Sequence, residues 1–336
     1  MSEKSILTSH VGSINAESIS SALLLQYKAG IDIFSDGQIY FAQFQDDYLP
    51  YFIDERGEIR VSGLSIKEIR ESYDTLILTN TTGLLQADSP SAIVAVDKYI
   101  KAKEELDRSY SSKEIKFIIY SPLSLACRVT YTDKELSNEK LTWNNGIRDY
   151  LPYFKKYCLQ LLNYIIKHEG GKYAPDFIQI DQPVLEDYNL YGDLLLKDLQ
   201  FVDEIAKECG TIPVIHYTPS NLEKLHDEVK KGYKNLKSFS WFAFDYTLTD
   251  NQSFFKKDEV NSFEFPKKLC LGLINSYSFS LDNEKDVRGL LNRALYTMKY
   301  SRNNIMISPN SGMKGLRNRS LIQNKLKLLS KIAKEI

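Results

Sequence analysis

The chain has 336 residues, 43% hydrophobic and 26% charged, enough to bury the core of one large barrel or of two ordinary domains. Lys and Arg (43) nearly balance Asp and Glu (44), which argues against a broad electrostatic footprint for nucleic acid or an anionic membrane. No stretch approaches the roughly 18 apolar residues that span a bilayer, and the N-terminus lacks the basic-then-apolar order of a signal peptide, so a soluble cytoplasmic protein is expected.

Eight short apolar runs read as strands: Ile6–Val11, Ile31–Ser35, Ile115–Tyr120, Phe177–Ile180, Thr211–Ile215, Phe239–Phe244, Lys268–Leu273 and Asn304–Ile307. Stretches of helical periodicity separate most of them, which predicts an α/β fold of the (β/α)8 TIM barrel class with its site at the C-terminal ends of the strands. The first run leads into Ser9-His10-Val11-Gly12-Ser13, and the spacing of Ile19, Leu23 and Tyr27 predicts a helix over Ala16–Ala29 closed by Gly30. The second run delivers Asp36-Gly37-Gln38, where Gly37 permits a close backbone approach. The segment from about 40 to 114 exceeds one helix and reads as an insertion. It predicts a hairpin around Tyr51–Gly63 and Thr75–Leu85, followed by a helix over Ser91–Leu106.

Apolar residues at Leu151, Phe154, Cys158, Leu161, Leu162 and Ile165 predict an outer helix over Asp149–His168, ended by Gly170-Gly171. Further helices are expected at Leu195–Cys209, Asn221–Lys231, Glu284–Tyr300 and Leu316–Lys334. The last carries Lys325, Lys327, Lys331 and Lys334, read as a solvated face. The four cysteines, Cys127, Cys158, Cys209 and Cys270, form no C-x-x-C pair and are expected to be reduced and mostly buried. With no repeat, linker or low-complexity segment, residues 1–336 read as a single domain.

Several strand ends carry groups capable of chemistry. In Ile178-Gln179-Ile180-Asp181-Gln182-Pro183, Gln179 and Asp181 lie two apart and share a face, which points Asp181 into the mouth of a barrel. Asp181 also suits a cap on the proline-containing turn that follows. His216 ends the fifth run and is suited to metal binding, substrate hydrogen bonding or proton transfer, or to a purely structural role. His10 is placed to face it across the rim, whereas His168 and His226 fall on helix surfaces. Ser308-Pro309-Asn310-Ser311-Gly312-Met313-Lys314 fits either an anion site of loop amides or a simple surface turn. Asp245 ends the sixth run. The expected mouth comprises Val11–Ser13, Gln38, Ser121, Asp181, His216, Asp245 and Ser311.

These motifs, in this order, resemble those of the catalytic barrel of the cobalamin-independent methionine synthase family, which is related to uroporphyrinogen decarboxylase. Thr8–Ser13 is similar to T-T-x-x-G-S, Asp36–Gln38 to D/H-G-E and Ile178–Pro183 to I-Q-I-D-E-P. His216-Tyr217-Thr218 is similar to H-x-C, and Pro309–Lys314 to P-D-C-G-L-K. The resemblance implies an S-methyltransferase of methionine biosynthesis, in which zinc held by His, two Cys and Glu activates the thiol of homocysteine toward a methylated folate or corrinoid.

Carried over, His216 is the His ligand and Asp245 the counterpart of the Glu, while Thr218 and Ser311 occupy the two cysteine positions. The acidic pair for the substrate amino group maps to Gln38 and Asp181, and Val11, Gly12 and Ser13 line the substrate. Asp181 and His216 are thereby the candidate catalytic residues. Neutral hydroxyls are poor zinc ligands beside thiolates, so the resemblance leaves two readings. One is a methyltransferase acting on a small thiol and a methyl donor. The other is a metal-free, non-catalytic barrel that binds the methyl donor or partners a second, zinc-bearing methionine-synthase-like chain. Decarboxylase chemistry would need a cluster of basic residues, and the rim motifs offer only Arg128 and Lys314.

Overall fold

In a computed structural model, the structure describes residues 6–38, 52–53, 76–79, 84–85, 90–126, 129–132, 143–182, 188–209, 212–217, 222, 225–235, 241–254, 268–298, 301–313 and 315–336. All eight expected strands are present: β1 (Leu7–Thr8), β2 (Ile33–Phe34), β3 (Glu114–Tyr120), β4 (Phe177–Asp181), β5 (Ile212–Tyr217), β6 (Trp241–Asp245), β7 (Leu269–Ile274) and β8 (Ile305–Pro309). They form one eight-stranded sheet in the order β1-β8-β7-β6-β5-β4-β3-β2. A parallel bridge between Ser9 and Ile33 joins the two end strands and closes the sheet into a barrel.

A helix follows each strand: α1 (Ile19–Ala29), α2 (Pro90–Ser109), α3 (Trp143–Lys167), α4 (Asp193–Cys209), α5 (Asp227–Asn235), α6 (Thr249–Phe254), α7 (Glu284–Met298) and α8 (Arg319–Glu335). Local sequence sets the ends of α1. Ser18 accepts from the Ser21 amide in a capping box, and Gly30 closes the helix in the left-handed region at φ 78°. The Asn318 side chain likewise caps α8 through the Leu321 amide.

Side-chain alternation along the strands divides the core in two. On β6, Phe242 and Phe244 pack outward with Ile178 and Ile180 of β4 against the helices. Trp241 and Ala243 turn inward and meet Ile33, Phe177, Cys270 and Met306 inside the barrel. The same alternation puts Gln179 and Asp181 on the inward row of β4. Cys158 and Cys270 are buried free thiols, as expected; Cys127 and the side chain of Cys209 lie outside the described residues.

Three expectations change. Lys325 does not lie on a solvated face: it is 0% exposed and donates to Asp282 at 2.6 Å and to the Asn275 carbonyl at 3.0 Å. A long stem lets an ammonium cross the α8 packing layer and reach the β7 loop. The helix expected at Asn221–Lys231 begins instead at Asp227, just after His226, whose Nδ1 accepts from the Glu228 amide. In the insertion, Phe52–Ile53 pairs antiparallel with Leu84–Leu85, as the expected hairpin requires, but Leu76–Thr79 pairs in parallel with Val129–Thr132 and not within the hairpin. The remainder of 40–89 lies outside the described residues. Among the described residues, no helix is long and apolar enough to cross a membrane.

Candidate functional site at the barrel mouth

The loop after β1 is held by bonds made inside the barrel. Lys116 of β3, only 4% exposed, donates from Nζ to Ser9 Oγ at 3.0 Å and to the His10 carbonyl. Gln179 of β4 donates from Nε2 to the Val11 carbonyl at 3.1 Å and to Asp181 Oδ1 at 2.8 Å. The buried His10 ring accepts the Gly12 amide at Nδ1, 3.0 Å away. His10 is therefore an internal support of the loop and not a rim group, and its Nε2 has no hydrogen-bond partner among the described residues.

Gly12 adopts φ +146°, and a Cβ there would lie 2.8 Å from Gln38 Oε1, so glycine lets the β2 loop close onto the β1 loop. Gln38 itself stands at φ 41°, a conformation supported by the Asp36 carboxylate, which accepts its amide at 2.9 Å. The Ser13 carbonyl accepts the Met313 amide at 2.7 Å, which joins the first and last loops of the barrel. Val11, Gly12, Ser13 and Gln38 are thus brought together as one rim segment. Asp181 stands half-buried beside it at the end of β4.

The His216 backbone is in register with Asp181 on one side and with Ala243 on the other, two residues short of Asp245; its side chain lies outside the described residues. Thr218 and Lys314, like Arg128, lie outside the described residues. Ser121 is buried and serves the short helix Pro122–Ala126, its Oγ donating to Ser124 Oγ at 2.8 Å and accepting the Ser124 amide. Asp245 accepts at Oδ1 from the Thr247 amide at 2.8 Å and hydroxyl at 2.6 Å, and at Oδ2 from Asn310 Nδ2 at 3.1 Å. Asn310 Oδ1 accepts the Ser276 amide, and Ser276 Oγ exchanges hydrogen bonds with the Ser311 backbone.

Burial shapes the protonation of this region. Burial, reinforced by Lys116, lowers the His10 pKa to about 3, so the ring is neutral. Burial also brings Lys116 down to about 8, with Cys270, Asp181 and Asp36 opposing the shift. Asp198 on α4 receives the Leu123 amide at 2.8 Å and Gln182 Nε2 at 2.9 Å, and its burial raises its pKa to about 6.

Lys116, Asp198, Ser276 and Thr247 escaped sequence reasoning. Only Lys116 carried a signal, a lone cation inside the apolar run Ile115–Tyr120 that read simply as a strand.

The residues present do not fit the zinc centre that the sequence resemblance implies. Ser311 brings a neutral hydroxyl, and the Asp245 carboxylate already accepts from Thr247 and Asn310. Among the described residues no group of three His, Cys, Asp or Glu side chains is placed to hold a metal ion. The other half of the mouth carries the half-buried Asp181 carboxylate beside the Val11–Ser13 segment, whose Gly12 amide is given to His10.

No family model and no curated protein matches the sequence. Many solved structures match by fold, and two of them cover nearly the whole chain at a TM-score above 0.6. One is a B12-independent methionine synthase from Shewanella sp. in complex with selenomethionine, with TM-score 0.65 and 15% identity over 99% of this chain and 98% of that one. The other is a putative vitamin-B12 independent methionine synthase from Listeria monocytogenes, with TM-score 0.63 and 14% identity over 99% of each chain. Over nearly its whole length, the chain has the α/β fold of B12-independent methionine synthase structures.

Proposed function

We propose that this chain is a methionine-synthase-like S-methyltransferase of the cytoplasm, acting as a single-domain barrel whose mouth binds a small thiol amino acid such as homocysteine. The observation that carries this reading is the Gln179 bridge, which ties the Asp181 carboxylate to the Val11 carbonyl and so couples an ammonium-binding group to the Val11–Ser13 segment. Asp181 holds the substrate ammonium, while the Ser13 hydroxyl and the Gln38 side-chain amide, framed by Val11 and Gly12, receive its carboxylate. His216, in register with Asp181, takes the thiol proton. The sulfur then bonds to the methyl carbon as its bond to a methylated folate or corrinoid breaks. Overall, the methyl group passes to sulfur and the thiol proton passes through His216 to the folate nitrogen, or to solvent when a corrinoid leaves with its cobalt reduced by two electrons. Zinc has no part in this step, because the donor set around Asp245 and Ser311 does not suit it.

A second reading has its own support. Asp245 is engaged by Thr247 and Asn310, which favours a non-catalytic barrel that binds the same ligand and partners a zinc-bearing chain. Calorimetric titration of the purified protein with methionine and homocysteine tests the shared binding step; no heat with either ligand would refute both readings. Turnover is then measured with homocysteine and a methylated folate or methylcobalamin. Methionine formation by the chain alone, abolished in His216→Ala, supports the methyltransferase. Binding without turnover supports the partner barrel.

A further inference from the structure

A lysine is a costly choice for the interior of a barrel, because removing an ammonium from water costs several kcal/mol unless its donors are satisfied. Lys116 lines a small cavity with Ile33, Phe177, Ala243, Cys270 and Met306, a setting in which a methionine of similar length would pack. What the lysine adds is its bonds to Ser9 Oγ and the His10 carbonyl. Gln179 lines the same cavity and takes the next carbonyl, that of Val11, while the His10 ring takes the Gly12 amide. Consecutive backbone groups at the end of β1 are therefore tied from beneath, which fixes how the Val11–Ser13 segment is presented at the mouth.

We infer that Lys116 is a positioning residue for the ligand-binding loop: by gripping the His10 carbonyl from inside the barrel, it sets the conformation in which Val11–Ser13 receives the ligand. The role of that loop in binding rests on the reading above; its conformational control does not. The test is amide hydrogen exchange, resolved by peptide, on the full chain and on Lys116→Met. The variant should exchange at least about tenfold faster at Gly12–Ile14, a loss of about 1.4 kcal/mol of local protection, with β7 and α8 unchanged. Unchanged exchange in the loop, or an equal rise throughout the barrel, would overturn the inference.

Lys116→Gln, which keeps an N–H donor, should lie between the two, and it carries the same comparison if the methionine variant does not fold. Calorimetry adds the functional arm: methionine affinity should weaken about tenfold in Lys116→Met. If the parent protein binds no methionine, the binding reading falls while the exchange result still decides the role of Lys116.

Discussion

The mouth has two polar sides that differ in what their side chains address. On the β1–β4 side, Lys116 and Gln179 donate upward to the backbone of a loop, and Asp181 is oriented by Gln179 at the strand end. On the β6–β8 side, Asp245, Thr247, Asn310 and Ser276 bond among themselves and to the Ser311 backbone. Under the proposed function, the first arrangement is the one that presents a surface to a ligand. The second is a self-satisfied network, in which the polar groups stabilise one another and the loops they belong to. If the proposed function holds, one half of this rim binds the ligand while the other half is structural.

If the β6–β8 side is structural, breaking it should cost stability. The largest effect is expected at its anchor, where Lys325 holds Asp282 and the Asn275 carbonyl beneath the β7 loop. Asp282→Ala leaves a buried ammonium without its carboxylate and should destabilise by about 3–5 kcal/mol, read from the urea midpoint. A cost below about 1 kcal/mol would show that the pair behaves as an exposed one.

Acid titration addresses the β1–β4 side. His10 has a folded pKa of about 3, below its unfolded value, so the unfolded state binds more protons and stability falls as pH drops through 6.5. From pH 7 to 5 that penalty is about 2 kcal/mol. The stability of His10→Asn relative to the parent should therefore improve by about that amount over the window. Asp198 runs the other way. Its folded pKa of about 6 lies above the unfolded value, so stability falls as pH rises through that range. Asp198→Asn should lose ground to the parent on acidification over the same window, by about 1.4 kcal/mol. Relative stabilities that are flat with pH would mean these groups are more hydrated than their burial indicates.

The barrel itself was legible because hydrophobic alternation and Gly30-type punctuation are local signals, and every one of the eight strands formed where a short apolar run predicted it. Gln179 and Asp181 were legible as a pair for the same reason, since period two puts them on one face. The β6–β8 network was not legible. Asp245 meets Asn310 across 65 residues, and nothing in either local sequence announces that contact. His10 read as a rim group because strand ends suggest exposure, yet Gly12 folds the loop back over it. Lys325 read as solvated because its neighbours Lys327, Lys331 and Lys334 define a basic helix face; burial was decided by Asp282, which lies 43 positions away.

On the β6–β8 side, Asp245→Asn should destabilise by about 1–2 kcal/mol, since the Thr247 amide and hydroxyl lose a charged acceptor, while methionine affinity stays within about twofold. A large loss of affinity with intact stability would return Asp245 to the ligand site and dissolve the contrast.

The smallest stability effect is expected where the ligand effect is greatest. Asp181 stands half-buried, and Asp181→Asn retains an oxygen to accept from Gln179, so unfolding should shift by no more than about 0.5 kcal/mol. Removing the negative charge opposite a substrate ammonium should weaken methionine binding by about tenfold or more, a charge-assisted hydrogen bond being worth about 1.5–3 kcal/mol. Calorimetry and denaturant titration on the same preparation separate the two quantities. If stability falls and affinity holds, Asp181 belongs with Asp245 as a structural carboxylate. The ligand half of the mouth would then have to be sought elsewhere on the rim.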